Sequence, residues 1–181
     1  WVRTLVEEAE PQLRSAGQLP WISRLETELD NIRAAMDRTL TAGDETQAGA
    51  VVLAMGWFWW LRNYRREGMS WVARVLDPGA TPEGGGLIDA FLAAPRAETP
   101  VRLNLRMLHL FLSAETEPID ARLDPRLHRY VSAVRDHFEP GGPDAARLPG
   151  MIWPLVGVML GDHTDIRPLM EVAVANCRAH G

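Results

Sequence analysis

Residues 48–61 read AGAVVLAMGWFWWL, fourteen positions without a charge, and three of the last five are tryptophan. On a helix turning about 100° per residue, Leu53, Trp57, Trp60, Leu61 and Tyr64 share one side. Val51, Val52, Met55, Phe58 and Trp59 cover most of the remainder. The run falls short of the roughly 20 apolar residues that a membrane span requires. A helix that is apolar nearly all round is buried between neighbours on both sides, which is the situation inside a stack of helix pairs. Burying one indole removes on the order of 200 Å² from water, worth several kcal/mol at about 25 cal/mol per Å². The first expectation is therefore that this run packs. A ligand cage lined by Trp57, Trp59, Trp60 and Tyr64, or a face that docks another domain, are the alternatives.

The rest of the chain keeps the same period. Ile22, Leu25, Leu29, Ile32, Met36 and Leu40 recur at helical spacing over 20–41, with Glu26, Asp30, Arg33 and Asp37 opposite them. Pro20 suits a first turn, Gly43 a stop, and Asp44 an N-cap for a helix over about 45–63. A shorter helix follows near 65–77, in which Gly68 lets a neighbouring backbone come close. The stretch DPGATPEGGG at 77–86 is the clearest break, followed by the short helix LIDAFLAA. Thr99-Pro100 and Asp124-Pro125 are start signals for helices near 100–115 and 125–138, the first with Val101, Leu105, Leu108 and Leu112 in register. EPGGP at 139–143 is a second break. A helix around 145–160, kinked or restarted at Pro149 or Pro154 and ended by Gly161, precedes a last one over 165–180, with Ile166, Leu169 or Met170, Ala173 and Cys177 inward. The fold class is all-α: antiparallel helix pairs stacked as an irregular, tetratricopeptide-like superhelix. It is one module over 1–181, with layers 1–77 and 87–181 joined by the Gly/Pro-rich loop. The chain opens at Trp1 within a helical pattern and reads as a piece of a larger polypeptide.

Composition narrows the chemistry. Acidic residues outnumber basic ones, 24 to 19, for a net charge of −5, which disfavours a nucleic-acid face. Every basic residue is arginine. Without lysine there is no Walker A loop, no Schiff base and no pyridoxal-phosphate anchor. Cys177 is the sole cysteine, which fits a reducing, cytoplasmic setting. Cys177 and His180 make a C-x-x-H pair, and Asp162, His163 and Asp165 crowd one turn. A zinc site wants two close pairs, so no metal, cofactor or catalytic constellation is expected. Glu7, Glu8 and Glu10 read as a solvated face.

Over the first 77 residues the order of features is more specific. A helix starts at Trp21, and Leu25–Asn31 with Ile32-Arg33-Ala34-Ala35 spells L-E-x-E-x-D-N-I-R-A-A. Then come Gly43-Asp44, Phe58-Trp59, and Glu67-Gly68 with Trp71-Val72. This resembles the segment that follows the nucleotide-binding core in actinobacterial transcriptional regulators of the AfsR/SARP type and their STAND-ATPase relatives. Beyond residue 77 the likeness is diffuse, and no regular 34-residue period fits 87–181. The resemblance implies a non-catalytic regulatory module whose partner is a protein, the ATPase domain of its own polypeptide, or a small effector. DNA would be bound only by other domains of the parent. The candidate partner or ligand contacts are Trp59, Tyr64, Arg62, Arg65 and Arg66. A DNA-binding alternative would use Arg62, Arg65, Arg66 and Arg74 on phosphates. Asp30, Asn31 and Arg33 are expected to fix the angle between helix layers, and Glu67 to pair with Arg66 or an arginine of an adjacent helix.

Overall fold

The computed structural model describes residues 1–77, 85–94, 98–114, 124–159 and 165–181. Among them every regular element is helical: α1 (Val2–Gln12), α2 (Gln18–Thr41), α3 (Glu45–Leu61), α4 (Arg65–Leu76), α5 (Gly85–Ala93), α6 (Pro100–Ser113), α7 (Pro125–Phe138), α8 (Trp153–Met159) and α9 (Arg167–His180). Two 3-10 turns, Asp144–Ala146 and Gly150–Ile152, precede α8. The all-α expectation holds.

Boundaries follow local chemistry. Gly43 takes φ +74°, a left-handed value that ends α2 without a Cβ penalty. Asp44 then accepts the Gln47 backbone N–H at 3.0 Å and caps α3. Thr99 and Asp124 cap α6 and α7 in the same way, each ahead of a first-turn proline. The helix expected around 145–160, kinked or restarted at Pro149 or Pro154, is restarted: two 3-10 turns come first and the short α8 follows. Pro149, lacking an N–H, lies between the turns, and Pro154 sits harmlessly in the first turn of α8. Gly85 and Gly86, expected in the loop, open α5. The rest of that loop, 78–84, and the expected stop at Gly161 lie outside the described residues.

Contacts between helices follow the order of stacked pairs. α1 lies against α3, α3 against α6 and α6 against α8, forming one row. α2 packs on α1 and α3, α4 on α3 and α6, α7 on α6 and α8, and α9 on α8. The layers open at Val2, Glu45, Pro100 and Trp153, so their spacing is unequal. α5 belongs to no pair and rests mainly on α7.

Two hydrophobic cores share this frame. The first gathers α1–α4 around Ile32, Met36, Val52, Met55, Phe58 and Trp59. The second gathers α7, α8 and Ala173 of α9 around Tyr130, Val134, Phe138, Trp153 and Val156. The seam runs down α6. Leu105, Leu108 and Leu112 enter the first core, whereas Leu103, Met107 and Leu110 enter the second. α6 is thus buried on both sides along most of its length. α3 is sealed on only part of its circumference, with Leu53, Trp57, Trp60 and Leu61 half-buried.

Candidate functional site

The aromatic helix separates into two parts. Trp59 is fully enclosed and packs against Gly68 of α4, where an added Cβ would sit 2.8 Å from the indole and 2.7 Å from Leu112. The close approach that Gly68 permits is therefore by an indole and a leucine side chain rather than by backbone. Sealed in this way, Trp59 offers nothing to a partner and leaves the set of candidate surface contacts. Trp57 and Trp60 stack on each other at 4.8 Å between ring centres, and both stack on Phe111 of α6, at 6.0 and 5.7 Å. These rings join two helices of the row and keep a half-buried edge.

The arginines at the end of α3 are placed by neighbours. Arg62 donates from Nε to Glu26 Oε1 at 2.6 Å. Arg65 stands over the Trp60 ring at 5.9 Å and donates to Asn63 at 2.9 Å. Arg74 of α4 reaches Asp37 of α2 at 2.5 Å. Arg66 and Tyr64 are exposed. A phosphate would have to displace carboxylates from Arg62 and Arg74 before using them, so the arginines named for DNA do not form one open cationic patch.

The motif residues meet as a cross-layer clamp. Arg33 of α2 donates from Nε and Nη2 to the two carboxylate oxygens of Glu67 in α4, both at 2.7 Å, and from Nη1 to Asp30 at 2.9 Å. Trp71 Nε1 also donates to Glu67, at 3.4 Å. The Arg33 hydrogen bonds hold the Glu67 carboxyl below its usual range. Arg33 is thus the partner that Glu67 finds, and Arg33 acts where expected, between layers, whereas the exposed Asp30 meets, among the described residues, only Arg33 of its own helix. Asn31 instead donates to Glu28 along its own helix, at 2.7 Å.

Concavity lies elsewhere. A groove of about 470 Å³ opens between Glu7 and Glu10 of α1, with Arg14 just beyond it, and the segment Ala146–Leu148 with Met151, above Leu53 and Ala54 of α3. A cavity of about 20 Å³, room for roughly one water molecule, continues from it towards Trp57, Leu108 and Phe111. That size does not admit a metabolite. Trp57 and Leu53 are reached from this side, and neither Trp59 nor Tyr64 lines either space.

A polar centre between the cores was not anticipated from sequence. Arg106 of α6 is 1% exposed and donates from Nη2 to Glu98 at 2.6 Å and from Nη1 to the Leu87 carbonyl of α5 at 3.2 Å. Its guanidinium lies over Phe91 at 4.6 Å and Tyr130 at 5.9 Å. Arg102 holds the other Glu98 oxygen at 2.9 Å and also reaches Glu45 and the Leu76 carbonyl, each at 2.7 Å. Helices α3, α4, α5 and α6 are thereby tied at one joint. The Tyr130 hydroxyl and His109 Nδ1, both enclosed, find no hydrogen-bond partner among the described residues. Burial pushes the Tyr130 hydroxyl up to about 12, against the pull of Arg106. Burial pushes the His109 imidazole down to about 4, with the Arg106 charge adding to the effect. The signal in the sequence was an arginine inside LNLRMLHLFL at a position whose neighbours on the same face, Leu103 and Leu110, are core.

Cys177 approaches the Ala146 carbonyl at 3.8 Å, and no three His, Cys, Asp or Glu side chains converge among the described residues. Asp162 and His163 lie outside them, while Asp165 pairs with Arg167 at 2.9 Å. No described helix is long and apolar enough to cross a membrane. No protein-family model, curated protein or solved structure matches this chain.

Proposed function

We propose that the chain is a non-catalytic regulatory module of a transcriptional regulator of the AfsR/SARP kind, acting by docking a protein or the ATPase domain of its own polypeptide. The observation that carries this reading is the groove between α1 and the 146–151 segment, whose floor is apolar and whose rim holds Glu7, Glu10, Arg14 and Arg147. An open groove of this composition suits a polypeptide segment better than a small metabolite, which is bound in enclosed pockets that cover most of its surface. Placement of the aromatic cluster supports the same reading, since Trp57, Trp60 and Phe111 spend their faces on one another. In such a module, a partner that binds one arrangement of the parent better than another shifts the balance between them.

The purified chain is expected neither to hydrolyse ATP nor to retard duplex DNA in a gel. Met151→Arg is expected to weaken binding to the nucleotide-binding domain by at least tenfold in calorimetry while leaving the melting temperature unchanged. Steady ATP turnover by the chain alone, or equal affinity of the Met151→Arg variant, would overturn the reading.

A further inference from the structure

α5 is the helix that does not fit the stack. It interrupts the alternation of pairs, spans nine residues, and is apolar at Leu87, Ile88, Phe91 and Leu92. A helix so short is not stable by itself in water and depends on what it packs against. Its support is specific. Leu87 enters the first core and Phe91 the second. Phe91 meets Tyr130 edge-to-face at 5.3 Å and lies under the Arg106 guanidinium, whose Nη1 takes the Leu87 carbonyl. At the rim, Asp89 pairs with Arg126 of α7. The ion pair beneath is complete without α5, because Glu98 is held by both Arg106 and Arg102.

We propose that the Arg106–Tyr130 socket between α6 and α7 is a helix-recognition site that α5 occupies in cis, and that its partner in trans is a short amphipathic helix of the same chemistry. That helix would carry leucine and phenylalanine four residues apart, which places them on one face, with an acidic residue two positions after the leucine to meet Arg126. The guanidinium reads a backbone carbonyl and an aromatic face together, which a plain apolar groove does not do. Occupancy in cis is an intramolecular event at millimolar effective concentration, so the resident helix masks the site until a stronger competitor arrives. This surface is separate from the groove on α1 and α3, and the proposal stands whether or not that groove binds anything.

The probe is a fluorescent peptide of residues 85–94, GGLIDAFLAA, titrated by anisotropy into the full chain. Wild-type chain is expected to bind it at least tenfold more weakly than the variant Leu87→Ala/Phe91→Ala, whose own α5 no longer competes. Adding Arg126→Glu to that variant is expected to weaken binding severalfold, and a peptide with Asp89→Arg to recover it. In wild-type chain, α5 amides are expected to exchange with deuterium at least a hundredfold faster than those of α6 and α7. Equal peptide binding by both chains, no rescue by the charge swap, or a double variant that fails to fold would each make α5 an integral part of the core and overturn the proposal. So would α5 amides as protected as those of α6.

Discussion

The two cores that meet along α6 solve the same problem with different materials. In the first, charge stays outside: Arg33–Glu67, Arg62–Glu26 and Arg74–Asp37 bridge neighbouring helices at the rim while Trp59, Phe58 and Met55 fill the interior. In the second, charge goes inside, with Arg106 and Glu98 enclosed beside Tyr130 and His109. An apolar interior is stabilised by area and shape and tolerates exchange of like for like. A buried ion pair gains little net stability over an apolar equivalent but is costly to break halfway. The first core is therefore where stability resides, and the joint at Arg106 is where a particular arrangement of helices is specified.

The largest expected effect lies in the first core. Trp59→Ala removes a fully enclosed indole wedged against Gly68 and is expected to destabilise by about 3–5 kcal/mol, read as a shift in urea midpoint with unchanged slope. Trp57→Ala, at a half-buried ring, is expected to cost distinctly less. Equal losses at the two positions would mean that α3 is enclosed all round.

Next comes the joint. Arg106→Met leaves Glu98 buried with only Arg102, and is expected to cost about 3 kcal/mol. The double variant Arg106→Met/Glu98→Leu, which removes both charges, is expected to recover most of that loss. Recovery distinguishes a specifying pair from a stabilising one. A double variant as unstable as the single one would show that the pair itself holds the fold together.

Much of the first core could be read from the sequence, because helical period, caps and the Gly43 stop are local signals that agree with one another. Asp44, Thr99 and Asp124 were legible for that reason, as was the burial of Trp59. The clamp was half legible: Arg33 and Glu67 stood out, but sequence spacing could not say that residues 34 apart would meet. The placement of α3 between neighbours on both sides was legible and holds, against α1 and α6, with Leu53, Trp57, Trp60 and Leu61 half-buried. One misjudgement concerns α6, which reads as a helix with a single apolar stripe, because periodicity reports the faces a helix possesses rather than the neighbours it receives. Arg106 went unread since a charge in an apolar run is equally a solvated residue or the centre of a buried network until its partners are placed. The interruption of the 145–160 stretch at Pro149 and Pro154 was legible because proline is a local signal; that its first part would be 3-10 turns was not.

Acid should separate the two regions as well. The His109 imidazole, held near 4 against an ordinary 6.5, stays neutral when folded, while the unfolded chain takes up its proton at the ordinary value. Stability is therefore expected to fall as pH drops from about 6.5 to about 4, by up to roughly 3 kcal/mol, and to be insensitive to this group above that window. Chemical denaturation at stepped pH checks this, and His109→Leu is expected to flatten the slope between those limits.

The smallest effect sharpens the comparison most, because it concerns the same two functional groups at a different depth. Arg33 and Glu67 form a bidentate pair, as well made as Arg106 and Glu98, but with side chains 37% and 24% exposed. Water screens them, so a double-mutant cycle with Arg33→Met and Glu67→Leu is expected to give a coupling of only about 1 kcal/mol. Glu67 titrates below its usual range when folded, chiefly through its hydrogen bonds to Arg33. The stabilisation is thus present above the ordinary carboxylate value near 4.5 and is lost as pH falls through the lower folded value. Here the double variant is not expected to regain wild-type stability, since two apolar side chains at a wet rim gain less from burial than the pair gains from its geometry. Full recovery at Arg33–Glu67, as expected at Arg106–Glu98, would show that depth does not decide how this fold uses charge.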